Sequence, residues 1–494
     1  MQTLSSKNLW SVAAAALALG LIFDYFFFQK QVGISFFIYV CLLLLMLFSL
    51  LRAFKVSYNK IALWYIVPIV FFSGMVAVRD SGFLLFWNLI ITFGLLLLLS
   101  HHLAGRNIKS CLFSDYLKTA FLLPLKILGK SFGSIVKMLA VRKGAIEYRK
   151  ASQVTKGILI TLPIALLFLV LMSSADLAFN HFVSGLFKLN VNLSPDAVAQ
   201  IWWAVFIAFI WLGAYVYVLE NSTSKETAPN PEETSGYVLG NIEGGILFGT
   251  LNVLFLAFVL FQIRYLFGGH GAIAALGYTY AEYAHKGFGE LVVIALMTFA
   301  LIFVAEKYIE KKSGAHASRF KILSNCLIVL TLVIMASAFL RLSVYEQAYG
   351  FTLLRILVQA FIIWLAAVFL WLGYKIIGGM ETRPFIFGIF LSMLAFFAVF
   401  NLFNPEAFIA RKNIAQFAKS GRLDGTYFYS LSADAAPEIS RLLEMPELND
   451  KRGDTLPALA ADIFMQMENN QSAHSWQSFN FSRARAEKII IGLK

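Results

Sequence analysis

The sequence predicts an all-α protein: a polytopic integral membrane bundle of about eleven spans with a small helical C-terminal domain outside the membrane. The chain of 494 residues is 59% hydrophobic and 14% charged, whereas soluble domains carry ~25% charged residues. Apolar runs of about 20 residues, long enough to cross a hydrocarbon core, recur from end to end. They do not alternate polar and apolar residues, so they favour helices over the strands of a membrane barrel.

The apolar runs define the predicted spans and, through them, the predicted domains. The spans are 8–28, 32–53, 61–78, 82–100, 157–178, 198–219, 244–266, 288–308, 321–341, 353–375 and 384–402. The domains are a four-helix membrane segment (1–100), a basic amphipathic cytoplasmic loop (101–156), a seven-helix membrane segment (157–403) and a C-terminal helical domain (404–494). If the short segment 61–78 or 384–402 is re-entrant, every later segment changes sides.

The distribution of Lys and Arg predicts that the N-terminus lies in the cytoplasm. With that orientation the cytoplasmic segments, above all 106–156, carry most of the basic residues outside the tail, as the positive-inside rule requires. An odd number of spans then places the C-terminal domain outside. The same distribution accounts for the net charge of +13, so we expect anionic inner-leaflet lipid at 106–156 and no nucleic acid as a partner.

Within the basic loop, apolar and lysine residues interleave on either side of Pro124. This pattern predicts one or two amphipathic helices that lie on the inner leaflet and break near that proline. A second segment, 220–240, is polar and contains proline, and it is typical of a flexible linker.

The chain contains no recognisable cofactor or metal motif. Cys41, Cys111 and Cys326 are far apart and predict neither a disulfide nor a metal site. His101 and His102 have no cysteine or acid at ligand spacing. We therefore expect no cofactor and no metal, and the residues lean towards a non-enzymatic role while leaving catalysis open.

Polar and titratable residues concentrate at the outer ends of the predicted spans between about 244 and 375. The candidate substrate-binding residues are Arg264, Tyr278, Tyr280, Glu282, Glu290, Arg341, Tyr345, Glu346, Tyr349 and Arg355. Ionisable groups in a membrane are costly, so they usually pair or face a wet cavity. One interpretation is that they pair and fix helix packing, with the tyrosines as an aromatic belt. The other is an outward-facing pocket, with arginines for an anionic headgroup and carboxylates for proton transfer or hydroxyl binding.

The leading hypothesis is that this pocket binds or translocates a small polar or lipid-linked substrate. One alternative is a membrane-embedded transferase acting on a lipid carrier. Another is a non-catalytic scaffold or sensor whose C-terminal domain binds an envelope protein. In that domain we expect helices near 410–419, after Pro437 and at 455–467, with an extended stretch at 479–481.

Five separated motifs resemble a family of bacterial polytopic membrane proteins. They are Phe261–Gly269, Thr279–Leu291, Tyr345–Arg355, Asn404–Asn413 and Leu423–Pro437. The family is known only as a domain of unknown function, number four-one-seven-three in its series. Where that family commonly has Ala-Arg-Arg-Gly-Phe-Trp-Glu, this chain has Ala-His-Lys-Gly-Phe-Gly-Glu at 284–290. The resemblance implies a multi-pass protein of the bacterial inner membrane and implies no activity.

Overall fold

A computed structural model gives the architecture of most of the chain. It describes residues 4–103, 113–140, 195–222, 241–266, 288–308, 314–420, 424–445, 455–470 and 475–493. Within these ranges the regular secondary-structure elements are all helices, which confirms the expected all-α class there. The chain divides into two compact units, which are described separately: Met1–Glu226 with Gln471–Phe481, and Thr227–Asn470 with Ser482–Lys494.

The helices are numbered here in chain order. They are α1 (Ser6–Phe27), α2 (Ile34–Ala53), α3 (Ile66–Val78, after a 3-10 turn Lys60–Tyr65), α4 (Gly82–Leu103), α5 (Phe113–Ala140), α6 (Pro195–Asn221), α7 (Asn241–Leu266), α8 (Phe288–Tyr308), α9 (Gly314–Tyr349), α10 (Leu353–Gly378), α11 (Thr382–Phe403), α12 (Pro405–Ser420), α13 (Leu456–Asn470) and α14 (Phe481–Leu493).

Eleven helices in the described part of the chain are long and apolar enough to cross a membrane, which supports the predicted multi-pass membrane protein. The set differs from the prediction in one member. The expected span at 157–178 and most of the expected linker lie outside the described residues. The eleventh helix is instead the segment Thr119–Met138 of α5, which the sequence had suggested would lie on the membrane surface.

The expected break in α5 at Pro124 is wrong. The helix runs without interruption from Phe113 to Ala140 with that proline inside it. A proline inside a helix removes one backbone hydrogen bond and usually kinks or breaks the helix. Packing of Leu123 and Ile127 against Ala214 of α6 stabilises the continuous form.

Helix α6 packs closely against both α1 and α5 because small residues line its two contacts. A Cβ atom on Gly20 would lie 2.1 Å from the carbonyl oxygen of Ala204, and one on Gly213 would lie 2.1 Å from that of Ile127. Ser131 also donates a hydrogen bond from Oγ to the carbonyl of Phe209 at 2.7 Å. Close backbone approach through small residues is the usual basis of helix association in lipid.

A buried carboxylate joins three segments of the first unit. Glu220, near the C-terminal end of α6, pairs with Lys130 at 2.5 Å and Lys137 at 3.2 Å. The same carboxylate accepts a hydrogen bond from the backbone N–H of Leu4. The N-terminus of the chain therefore lies at the same end of the first unit as the end of α6.

A short stretch of the tail covers the opposite end of the first unit. The backbone N–H of Ile34, at the start of α2, donates to the carbonyl of Phe479 at 2.8 Å. The Asn480 side chain donates to the carbonyls of Val76 and Arg79 at 3.0 and 2.9 Å, which are among the groups that a helix C-terminus leaves without partners. The expected extended stretch at 479–481 is wrong at its end: Phe479 has φ −57° and ψ 130°, but Phe481 is already the first residue of α14.

In the second unit the membrane helices α7 to α10 share one hydrophobic core. Phe248 and Phe320 contact each other with ring centroids 5.5 Å apart, and Asn252 donates to the carbonyl of Leu323 at 2.9 Å. From Phe248 to Asn252 along α7, the contacted residue of α9 moves from Phe320 to Leu323. The two helices therefore run in the same direction. Between α8 and α10, the completely buried Lys375 pairs with Glu306.

The tail contains the expected helices and one more. Helix α12 is longer than the predicted 410–419, and α13 corresponds to the predicted 455–467. Pro437 lies in the first turn of a four-residue helical segment. Helix α14 was not predicted: its sequence, with Arg483, Arg485 and Lys488, shows no strong apolar periodicity that would distinguish it from a polar end.

Candidate functional site

The polar residues after Arg341 are helical, not a loop. The sequence indicated a helix that ends at that arginine, but α9 continues to Tyr349. The intervening residues include no glycine or proline, so nothing in them stops the helix. Gly350, with φ +84°, is the first residue suited to a turn, and α10 begins three residues later.

Glu346 is the centre of the polar cluster between the end of α9 and the start of α10. Its side chain is almost fully buried, at 2% exposure. Its Oε2 accepts a hydrogen bond from the Gln359 amide at 2.6 Å, and the same amide donates to Ser343 Oγ at 3.2 Å. Its Oε1 has no hydrogen-bond partner in the described part of the chain. Half of this carboxylate is therefore available to accept a further donor.

Arg355 closes the turn beside this carboxylate. Its guanidinium donates to the backbone carbonyls of Gly350 and Tyr349, so it satisfies carbonyls that the end of α9 would otherwise leave free. It also lies over the Tyr345 ring, 4.2 Å from the centroid, in cation–π geometry. Tyr345 in turn contacts Tyr349, with centroids 4.8 Å apart.

The tail fixes the same turn from another side. Asn413 of α12 accepts a hydrogen bond from the Phe351 N–H at 2.7 Å and donates to the Phe351 carbonyl at 2.9 Å. The Tyr427 hydroxyl accepts from the Leu353 N–H at 2.8 Å. Burial raises the pKa of Tyr427 above its ordinary value, although the Leu353 hydrogen bond acts in the opposite direction.

The structure brings together four of the ten candidate residues. Tyr345, Glu346, Tyr349 and Arg355 form one cluster, in which Glu346 is buried and Tyr349 is exposed. Glu290 lies in the first turn of α8 and is exposed; a carboxylate there is favoured by the helix dipole.

The remaining candidates are not part of that cluster as described. Tyr278, Tyr280 and Glu282 lie outside the described residues, and Arg264 is on α7 with a side chain that is likewise not described. Arg341 is buried on α9. Helical residues advance by about 100° each, so Arg341 lies on α9 about 140° around from Glu346.

Sequence reasoning missed the side chains that hold Glu346. Gln359 lies one turn after Arg355 and is the one side-chain amide of α10, and a lone amide in a membrane span is a signal that could have identified it. The roles of Asn413 and Tyr427 had no such signal, because they depend on how the tail folds back onto the turn.

This arrangement suits binding more than bond cleavage. It offers a buried hydrogen-bond acceptor, a cation whose Nη1 donates to two backbone carbonyls, and two tyrosine rings in tilted contact, of which Tyr349 is exposed. Among the described residues no group of three or more His, Cys, Asp or Glu side chains could hold a metal ion.

Comparisons with known proteins give a family and no activity. No match was found among curated proteins or among solved structures. The model of a family described as Domain of unknown function (DUF4153) matches residues 66–442, well over half of the chain. A family of unknown function was expected, although the motif resemblance was to number four-one-seven-three in the series. The chain belongs to the DUF4153 family.

Proposed function

We propose that the cluster around Glu346 binds a small polar or lipid-linked substrate through a group that donates hydrogen bonds, and that the protein binds or moves this substrate at the membrane. The single observation that carries the proposal is the buried Oε1 of Glu346, which has no hydrogen-bond partner in the described ranges. A buried polar atom without a partner costs ~1–3 kcal/mol. A substrate hydroxyl or ammonium group would remove that cost.

The other groups of the cluster support this assignment. The Nη1 of Arg355 donates to the carbonyls at the end of α9, and the buried carboxylate of Glu346 keeps an oxygen for the ligand. Tyr345 and Tyr349 supply ring surfaces of the kind that pack against sugar or ammonium groups. The carboxylate is closed to solvent, so the ligand would enter when the ends of α9 and α10 separate.

A ligand screen tests the proposal. Thermal melting of the purified full-length protein would be measured with a panel of polyols, amino sugars and amines. We expect at least one to raise Tm in the wild type and to have no effect on Glu346→Ala. Glu381→Gln, at an exposed acid that precedes α11, is the control and should respond as the wild type does. A response that survives in Glu346→Ala would contradict the proposal.

We propose the orientation indicated by the basic residues, with the N-terminus in the cytoplasm of a bacterial inner membrane and the tail outside. One structural relationship within the first unit supports opposite sides for Leu4 and for residues 479–480. Leu4 lies at the Glu220 end of the first unit. Phe479 contacts the start of α2 and Asn480 the end of α3, both at the other end of that unit. The bacterial inner membrane itself rests on the motif resemblance.

The proposed contact of α5 with anionic lipid is narrower than the sequence suggested. Lys130 and Lys137 are paired with Glu220, whereas Lys126 is exposed beside the exposed Phe121 and Leu125. An ammonium next to exposed apolar side chains is the combination that binds at an anionic membrane surface. We therefore propose that α5, although long and apolar enough to span, lies along the membrane surface with its Lys126 side towards the lipid headgroups.

An envelope protein partner for the tail is a second candidate role. The observation that favours it is the exposure of Met465 on α13 and Ile491 on α14. Deleting 404–494 would not isolate that role, because Asn413 and Tyr427 hold the Glu346 turn. Met465→Glu combined with Ile491→Glu should instead abolish partner capture from cross-linked cells while leaving ligand-induced changes in Tm intact.

A further inference from the structure

Residues Trp476–Phe481 of the tail, which we call the tail stretch, belong to the first unit and are bound to it by their backbone and one polar side chain. The Phe479 carbonyl accepts the hydrogen bond from Ile34 at the start of α2. Its oxygen comes so close to the loop before α2 that a Cβ on Gly33 would lie 2.5 Å away. Asn480 donates to two carbonyls at the end of α3. These contacts fix the position of the tail stretch without using an aromatic ring.

The three aromatic rings of the tail stretch remain largely open. Trp476 is 50% exposed, Phe479 39% and Phe481 56%. Phe479 and Phe481 contact each other, with ring centroids 5.1 Å apart, and Trp476 meets the buried Phe26 of α1 edge to face at 5.6 Å. Exposed apolar surface costs ~25 cal/mol per Å² in water. A group of exposed aromatic side chains therefore indicates a surface that is covered by an apolar partner.

The tail stretch lies level with the ends of three helices that are long and apolar enough to cross a membrane. Of these, Lys7–Phe27 and Lys60–Val78 end beside it and Ile34–Ala53 begins there. Its contacts with Phe26 and Ile34 are at those ends. The length of a membrane span matches the thickness of the hydrocarbon core. The ends therefore mark the boundary with the headgroups, which is where tryptophan and tyrosine rings concentrate.

Helix α1 presents one apolar stripe that leads to the tail stretch. The exposed side chains of the stripe, spaced seven, four and four residues apart, are Trp10, Leu17, Leu21 and Tyr25. These spacings keep them within about 80° of the helix circumference. An exposed apolar stripe along a membrane helix faces lipid chains. Phe26, which Trp476 contacts, directly follows the last residue of the stripe, so the tail ring continues that lipid-facing surface.

We propose that the tail stretch is a membrane anchor whose rings, Trp476, Phe479 and Phe481, insert among the headgroups of the phospholipid bilayer beside α1. An indole combines a large apolar ring with one N–H donor, which suits the boundary between headgroups and acyl chains. At the same end of α1, Lys30 lies 4.6 Å from the centroid of the exposed Tyr25 ring, and its ammonium is of the kind that binds lipid phosphates. This inference goes beyond the proposed function because it concerns the first unit and requires no substrate.

Depth-dependent fluorescence quenching tests the anchor. Trp476→Cys, Phe479→Cys and Phe481→Cys, made in the full chain with its own three cysteines replaced by serine, would be labelled with NBD and placed in phosphatidylcholine nanodiscs. The nanodiscs carry a doxyl quencher either near the headgroup or near the end of the acyl chain. Leu17→Cys is the matched control, since it is on the exposed stripe but nine residues, ~13 Å, before Phe26 along α1.

At the three tail positions we expect the headgroup quencher to reduce fluorescence by about a factor of two more than the deep quencher does. The order should be reversed at Leu17→Cys. All four side chains are exposed, so none of the substitutions opens the packed core. No quenching at the tail positions, or stronger quenching there by the deep quencher, would overturn the anchor. So would a blue-shifted emission that neither lipid quenches, because it would identify a protein partner or a second copy of the chain as the cover.

Discussion

The Lys375 ammonium pairs with the Glu306 carboxylate at a point where the lysine has no exposed surface at all. The pair joins α8 to α10 inside the second unit, and Lys375 also lies 5.4 Å from the centroid of the Phe385 ring. Ionisable groups buried in a membrane protein are tolerated when they are paired. Lys375 and Glu306 therefore fit the interpretation that paired charges fix helix packing.

Breaking that pair should cost more than removing both members. Lys375→Met removes the buried ammonium that faces the partly buried Glu306 carboxylate, and we expect a loss of up to ~3–5 kcal/mol. Lys375→Met combined with Glu306→Gln removes both charges and should recover a substantial part of the loss. Unfolding in detergent, analysed as a double-mutant cycle, measures the coupling.

Lys321→Met is the control for this cycle. Its ammonium donates to the carbonyl of Ile377 in an exposed position, so its removal should change stability by less than ~1 kcal/mol. Additive single and double effects for Lys375 and Glu306 would show that the pair does not stabilise the fold.

Glu220 should control the accessibility of two lysines on α5. Glu220→Gln removes the charge that holds Lys130 and Lys137, so both amines should react faster with a water-soluble acylating reagent. Lys126 on the same helix is exposed and should react at an unchanged rate. Mass spectrometry of the modified peptides gives the three rates in one experiment, and unchanged rates at Lys130 and Lys137 would argue against the ion pairs.

The contact of α1 with α6 should tolerate no side chain at Gly20. Gly20→Ala places a Cβ 2.1 Å from the Ala204 carbonyl, and the forced separation should cost ~1–3 kcal/mol. Gly94→Ala, at a helical glycine with nothing within 4 Å, should be neutral or stabilising by up to ~1 kcal/mol. Thermal melting compares the two, and equal melting temperatures would mean that the close approach is unimportant.

The tail should contribute to the stability of the first unit through one side chain. Asn480→Ala removes the hydrogen bonds to Val76 and Arg79 and leaves two carbonyls at the end of α3 without that donor, a cost of ~1–3 kcal/mol. Asn469→Ala, at an exposed position on α13, should have no effect. Faster hydrogen exchange or proteolysis near residue 79 in the first variant alone is the expected result.

The fold class and most spans follow from the sequence, because apolar length and backbone satisfaction in lipid leave few options. Helix α5 is different: the sequence predicts that its lysines face anionic lipid, but the acid that pairs with two of them lies 83 residues or more further along the chain. Such long-range pairing has no local signal. The predicted end of α9 at Arg341 was wrong because the polar residues after it were taken as a loop. The helix continues to Tyr349, and the turn begins at Gly350.

The candidate site was partly predictable. The titratable residues of one turn, Tyr345 to Arg355, were found because charges near membrane spans are rare enough to stand out. Arg341 and Glu346 lie on different sides of α9 because the helix continues past Arg341, which the sequence did not indicate. Asn413 and Tyr427 join the site only through tertiary folding of the tail.

The central claim is that a ligand reaches Glu346 from the side on which the tail lies, when the ends of α9 and α10 separate. Single cysteines at positions 346, 349 and 321 would be introduced after Cys41, Cys111 and Cys326 are replaced by serine, and labelled with an impermeant maleimide in oriented vesicles. We predict that Tyr349→Cys labels rapidly and Glu346→Cys slowly from the tail side, and that Lys321→Cys labels only from the other side. Ligands from the screen should slow the labelling of Tyr349→Cys, which keeps Glu346, and should leave that of Glu346→Cys unchanged. Labelling of Glu346→Cys from the side of Lys321→Cys, or no labelling of it from either side, would contradict the account.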